Sequence, residues 1–202
     1  MIPRLVAVTP GDAAARPLVW LLEAGADAGL GAVILREPDL SERAYVALAR
    51  ALAPTYGAGL ILHGKHASAL SIAARAGFGL HLPAGADLSG ARPKIRGLLG
   101  ASCHDAEALR RAARAGCDYA VLGPVFSPGS KPGDTRPTLG LEALGGCPGL
   151  PVLALGGVTP ERAAACRAAG AHGVAVLGGL FAEPHTPEDL ARAVRAYRAA
   201  LG

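Results

Sequence analysis

Short apolar runs alternate along the chain with longer stretches in which Ala, Leu and Arg repeat at helical spacing. The runs occupy residues 5–8, 32–36, 59–63, 78–82, 98–102, 119–123, 152–155 and 173–176. They are nearly continuous in hydrophobicity, the pattern of strands covered on both faces rather than on one. The intervening stretches predict helices over 17–28, 41–53, 66–76, 105–115, 159–169 and 186–200, with two further short helices near 89–96 and 139–145. Ser41, Thr159 and Thr186 stand where N-caps belong, since a hydroxyl there can accept a hydrogen bond from an unpaired first-turn N–H. Pro160 and Pro187 follow at the first helical position, and Gly116 and Gly170 stand where helices close.

Alternating strand and helix implies a parallel sheet. Eight such units predict a closed (β/α)8 TIM barrel, read as a single domain over residues 1–202. A six-stranded doubly wound sheet is the alternative. No linker, low-complexity tract or shift in composition divides the chain.

In such a barrel the site lies at the C-terminal ends of the strands, and the loops after the seventh and eighth often hold phosphate. Here those strands end in Gly156-Gly157 and Gly178-Gly179. Glycine lets a backbone N–H approach an anion without an intervening Cβ. The Gly-Gly-Leu-Phe that follows the eighth run can also begin a short helix whose amide end favours an anion. The two pairs therefore predict the halves of a phosphate cup. Arg36, ending the second run, suits a carboxylate or phosphate. His63 and His81 end or nearly end the third and fourth runs, Ser102 ends the fifth, and His104 lies two residues beyond it. Imidazoles are the usual proton shuttles near neutral pH. The Gly- and Pro-rich segment after the sixth run carries Lys131, expected to close over a phosphate as a lid. Each of these residues also has a structural reading: tight turns for the glycines, a surface ion pair for Arg36, structural roles for the histidines, a solvated loop cation for Lys131.

Composition narrows the function classes. Apolar residues make up 51% of the chain, yet no apolar run approaches the roughly 18 residues of a membrane span. No basic segment followed by an apolar one opens the chain, so no secretory leader and a cytoplasmic location are expected. The net charge of +4 comes from basic residues dispersed along the helices, and aromatics are only 4%, which argues against nucleic-acid binding. Cys103, Cys117, Cys147 and Cys166 lack metal-ligand spacing and read as reduced, buried thiols. Asp87 and Asp105 are the carboxylates near strand ends that could help hold a metal. There is no Asn and no Gln, and arginine greatly outnumbers lysine, a composition that leans toward a thermophile.

Taken in order, ILRE at the second strand, GLHLP at the fourth, GASCHDAEALRRAARAGCDYAVLGPVF across the fifth and sixth, Ser130-Lys131, PVLALGGVTPE at the seventh and AGAHGVAVLGGLF at the eighth resemble the thiamine phosphate synthase/TenI superfamily. The resemblance covers nearly the whole chain. It implies a phosphorylated thiazole held in the strand 7/8 cup by Gly157, Val176, Leu177 and Gly178, and a homodimer. Two activities are implied. Synthases join a hydroxymethylpyrimidine diphosphate to thiazole phosphate with Mg2+; TenI-type tautomerases isomerise a carboxythiazole phosphate without a metal. Synthases typically carry Gln-x-Arg-x-Lys at the second strand, where this chain has Ile34, Arg36 and Pro38. They place Asn-Asp at the third strand end, where this chain has His63-Gly64. These departures favour the TenI branch: an isomerase without a cofactor, Mg2+ being needed only for the synthase reading. His63, His104 or His81, in that order, would carry the proton, and Arg36 would steady the substrate carboxylate. Pro124, however, stands where TenI tautomerases have a histidine. A synthase with altered ligands and a non-catalytic binder or regulator are the alternatives.

Overall fold

In the computed structural model, which describes residues 1–127, 137–145, 149–181 and 186–202, each apolar run forms a short strand. The order is β1 (Leu5–Val8), α1 (Leu18–Asp27), β2 (Val33–Leu35), α2 (Glu42–Tyr56), β3 (Leu60–His63), α3 (Ala69–Ala76), β4 (Gly79–Leu82), β5 (Leu99–Cys103), α4 (Ala106–Arg114), β6 (Tyr119–Leu122), β7 (Val152–Ala154), α5 (Pro160–Ala168), β8 (Gly173–Val176), α6 (Gly178–Phe181) and α7 (Pro187–Leu201). Every strand pairs in parallel with the next, and β8 returns to β1 through Leu5 opposite Val174, closing the barrel.

Side-chain alternation along these strands builds two cores. Val6, Val8, Ile34, Ile61, Tyr119, Val121, Leu153 and Ala175 fill the barrel interior. Their sequence neighbours point outward and meet Leu21, Leu22, Leu52, Leu109 and Leu190 from the helices. With both strand faces buried, the strands have no polar periodicity to display. Each fully buried leucine contributes about 2 kcal/mol through apolar surface removed from water.

The expected caps form. Ser41 Oγ accepts from Ala44 N, Thr159 Oγ1 from Arg162 N, and Thr186 and Asp189 make a reciprocal capping box. Boundaries differ by more than one residue at four elements, each for a local reason. α2 continues through Pro54 to Tyr56, whose buried hydroxyl donates to Leu22 O at 2.7 Å and holds the last turn inward. α3 starts at Ala69, not residue 66, because His66 stacks on Tyr45 at 3.9 Å and its Nε2–H donates to Leu40 O. The two expected short helices shrink to 3-10 turns at Arg92–Lys94 and Leu141–Gly145, the first interrupted by Pro93 and the second bounded by glycines. Cys103, Cys117 and Cys166 are buried and form no disulfide among the described residues. No helix among the described residues is long and apolar enough to cross a membrane.

Tyr45 joins three of these elements from a fully buried position on α2. Its hydroxyl donates to Leu35 O at 2.9 Å, at the end of β2, and accepts from His63 N at 3.3 Å, at the end of β3. Tyr45→Phe removes both bonds without changing the ring. A loss of about 2 kcal/mol in urea unfolding is expected; an unchanged midpoint would show that these strand ends are held by packing alone.

Candidate active site

The ends of β2 and β3 bring charge to one side of the barrel mouth. Arg36 follows β2; its backbone N–H donates to Thr9 Oγ1 at 2.8 Å, and its guanidinium lies against Gly11 in the loop after β1. Glu37, the next residue, is almost fully buried. Its carboxylate accepts from Gly11 N at 3.1 Å and Ala13 N at 2.8 Å, clamping the β1–α1 loop beside the mouth. The sequence reading missed Glu37 and Thr9. Their signal was present, since a residue just past β2 must face the loop after the neighbouring β1.

The histidines occupy different environments. His63 and His81 lie opposite each other on β3 and β4, with ring centroids 5.4 Å apart. His63 Nδ1 accepts from Lys65 N at 3.1 Å, which places the neutral ring's proton on Nε2. Burial, then the Arg36 and Lys65 cations, pull its pKa down to about 4. His81 lies deeper, with Nδ1 3.0 Å from Tyr119 Oη and Nε2 2.9 Å from Ser102 Oγ. Burial, then His63, lowers its pKa to about 3. His104 is exposed, and its Nδ1 bonds Gly123 O at the end of β6. The structure therefore brings His63, His81 and Ser102 together with Tyr119, which the sequence places only in the sixth strand run, and leaves His104 tied to a neighbouring loop. Imidazoles held this far below neutrality are weak acceptors for a carbon-bound proton at pH 7.

On the opposite side, β7 and β8 pair in register, Leu153 with Gly173 and Ala154 with Val174, and continuing that register sets Gly157 beside Leu177. Gly156 and Gly157 have φ of +96° and +58°, and both back onto the β6 end: Phe126 N donates to Gly156 O at 3.0 Å. Part of their role is thus a close structural turn. Yet among the described residues the N–H groups of Gly156, Gly157, Gly178 and Gly179 meet no acceptor. Val176 packs toward the helical layer and can offer only its backbone to this region, whereas Leu177 packs against the barrel interior. Lys131 lies outside the described residues.

The mouth therefore presents amide donors, a guanidinium and a hydroxyl: groups that hold anions. Among the described residues it does not present a cation site. Glu37 commits its oxygens to two loop amides, Asp105 caps α4 through Ala108 N at 2.7 Å, and Asp87 accepts from Ser89 N and Oγ, each at 2.8 Å. No cluster of three metal-capable side chains occurs among the described residues.

Comparison with known proteins adds the rest. Residues 5–180 match the model of a family described as thiamine monophosphate synthase. The chain is 36% identical over 188 residues to a thiamine-phosphate synthase of Roseiflexus castenholzii, covering 89% of this chain and 80% of that protein. It is 32% identical over 202 residues to a thiamine-phosphate synthase of Moorella thermoacetica, covering 96% and 92%. Among solved structures, a thiamine phosphate pyrophosphorylase from Pyrococcus furiosus superposes with a TM-score of 0.80 at 22% identity, over 98% of this chain and 95% of that one, a likeness of fold. The expectation of an isomerase is corrected by these relatives, whose names denote a transferase. The absent carboxylate at position 64 and lysine at position 38 weigh less than a likeness that spans nine-tenths of the chain.

Proposed function

The chain belongs to the thiamine monophosphate synthase family, and from that premise we propose that it makes thiamine phosphate, transferring a pyrimidinylmethyl group from its diphosphate to the ring nitrogen of a phosphorylated thiazole. One C–N bond forms, the C–O bond to the diphosphate breaks, and diphosphate leaves. The observation that carries this reading is the likeness to named synthases over nine-tenths of the chain.

The residues of the mouth can be given parts in it. Amides of Gly157 and Gly178 hold the thiazole's phosphate monoester, as N–H groups without internal partners favour an anion. Arg36, across the mouth, faces the second anion. The leaving diphosphate develops charge as the C–O bond stretches, and a fixed guanidinium stabilises that charge without reorganising. The low-pKa histidines stay neutral beside it and so add no competing cation.

The family resemblance implies Mg2+, but the described residues do not fit an ion held by the protein. Among the described residues Glu37, Asp105 and Asp87 are committed to backbone or serine donors, and position 64 is glycine. No step is assigned to a metal here. The same departures favour a second reading, binding of thiazole phosphate without turnover.

Incubation with hydroxymethylpyrimidine diphosphate and thiazole phosphate, over a Mg2+ series, separates the two. Thiamine phosphate and diphosphate appearing in equal amounts are expected. Calorimetric binding of thiazole phosphate with diphosphate release at the buffer level would replace transfer by binding, and neither signal would end both readings.

A further inference from the structure

Three groups inside the barrel form one hydrogen-bonded line, and its direction can be worked out. Tyr119 is fully buried, and its hydroxyl meets one partner among the described residues, His81 Nδ1 at 3.0 Å. A buried O–H that finds no acceptor is destabilising, so the phenol donates and Nδ1 accepts. The proton of the neutral ring then sits on Nε2, and Nε2–H donates to Ser102 Oγ at 2.9 Å. Deep burial keeps the ring from taking a second proton. Ser102 has thereby used its oxygen as an acceptor from below. Its own hydrogen points elsewhere and meets no acceptor among the described residues.

The strands are built for this line. His81 pairs with Gly100 across β4 and β5, and Gly100 pairs with Tyr119 across β5 and β6. A Cβ at position 100 would sit 2.1 Å from Tyr119 Cζ. Glycine there lets the phenol cross β5 and reach the imidazole.

We propose that Tyr119 and His81 are positioning residues that fix the tautomer of the imidazole and leave the Ser102 O–H free to donate to a ligand acceptor atom, an sp2 ring nitrogen or an anionic oxygen, at the barrel mouth. A serine–histidine contact elsewhere can activate the serine as a nucleophile. Here the direction is reversed, because the nitrogen facing Ser102 already carries a proton. Only the identity of the ligand rests on the synthase reading; the tautomer does not.

The test has two arms. In protein labelled with 15N-histidine, two-bond proton–nitrogen correlations should show His81 with an unprotonated Nδ1 and a protonated Nε2 from pH 5 to pH 8. Its signal is identified as the one that Tyr119→Phe shifts toward the other tautomer. A protonated Nδ1 in the parent protein, or an imidazolium, overturns the proposal. In the second arm, Tyr119→Phe and Ser102→Ala should each weaken calorimetric binding of hydroxymethylpyrimidine diphosphate about tenfold. The double variant should be no weaker than Ser102→Ala, since both remove one donor. Additive losses would mean that Tyr119 acts through packing, and would overturn the coupling. If the parent protein does not bind the diphosphate at all while the tautomer is as stated, the synthase reading fails and the line stands.

Discussion

Gly157→Ala is expected to weaken binding of a phosphorylated thiazole by about a hundredfold, or about 3 kcal/mol. Residue 157 has a φ of +58°, where a side chain with a Cβ is strained by about 1 kcal/mol. The larger obstacle is contact. The new Cβ would sit 2.4 Å from Ser127 O and 2.9 Å from Phe126 Cβ. Ser127 O is main chain and cannot swing aside as a flexible side chain would. Nor can the segment simply retreat, because Val125 N donates to Leu155 O at 2.8 Å and Phe126 N to Gly156 O at 3.0 Å. The backbone at 157 must move instead, and its N–H leaves the direction from which it could meet a phosphate. Displacements near 1 Å at a binding group can change rates by about a hundredfold. Gly77→Ala separates strain from binding: Gly77 closes α3 with a φ of +76° and nothing within 4 Å of a Cβ. It should lower stability by about 1 kcal/mol and leave affinity unchanged. Titration calorimetry with thiazole phosphate reads both variants. A Gly157→Ala protein that binds like its parent would move the phosphate site away from the ends of β7 and β8.

Much of this architecture was legible because the barrel simplifies its own sequence. Strands buried on both faces must be apolar throughout, so each run declared itself, and hydroxyl and proline signals marked the starts of α2, α5 and α7. The short elements were not legible: a 3-10 turn at Arg92–Lys94 differs from a helix only by the few residues that follow. At the site, strand-end position pointed to Arg36, His63, His81 and the glycine pairs. It could not supply partners. Tyr119 read as a core aromatic because its polar atom matters only once Gly100 opens the way to His81. Glu37 read as part of a motif because its acceptors' partners, Gly11 and Ala13, are 26 and 24 residues away. Nearness to a strand end also placed His104 ahead of His81, whereas the fold buries His81 and turns His104 to Gly123. The choice of activity failed for a related reason. Individual substitutions were visible, but their weight against a likeness spanning residues 5–180 was not.

Stability should fall by about 3 kcal/mol between pH 7 and pH 5, well above the range where the surface carboxylates titrate. The cause is the pair of buried imidazoles. In the unfolded chain each has a pKa near 6.5. In the folded protein burial holds His63 at about 4 and His81 at about 3. A group whose folded pKa is lowered binds fewer protons folded than unfolded, so acid favours the unfolded chain. The stabilisation is complete above the unfolded value and drains away as pH falls from about 6.5 toward 4, at up to about 1.4 kcal/mol per pH unit for each ring. Asp87, Glu107, Glu161 and Asp189 have carboxyl pKa values lowered by hydrogen bonds, and so they remain ionised throughout this window. Urea midpoints at pH 7, 6 and 5, at constant ionic strength, measure the slope. His63→Leu removes one titrating ring and should reduce the slope by about half. A midpoint unchanged from pH 7 to pH 5 would mean that both rings gain protons as easily inside the barrel as in water. Water would then reach His81, and the closed line from Tyr119 to Ser102 could not persist.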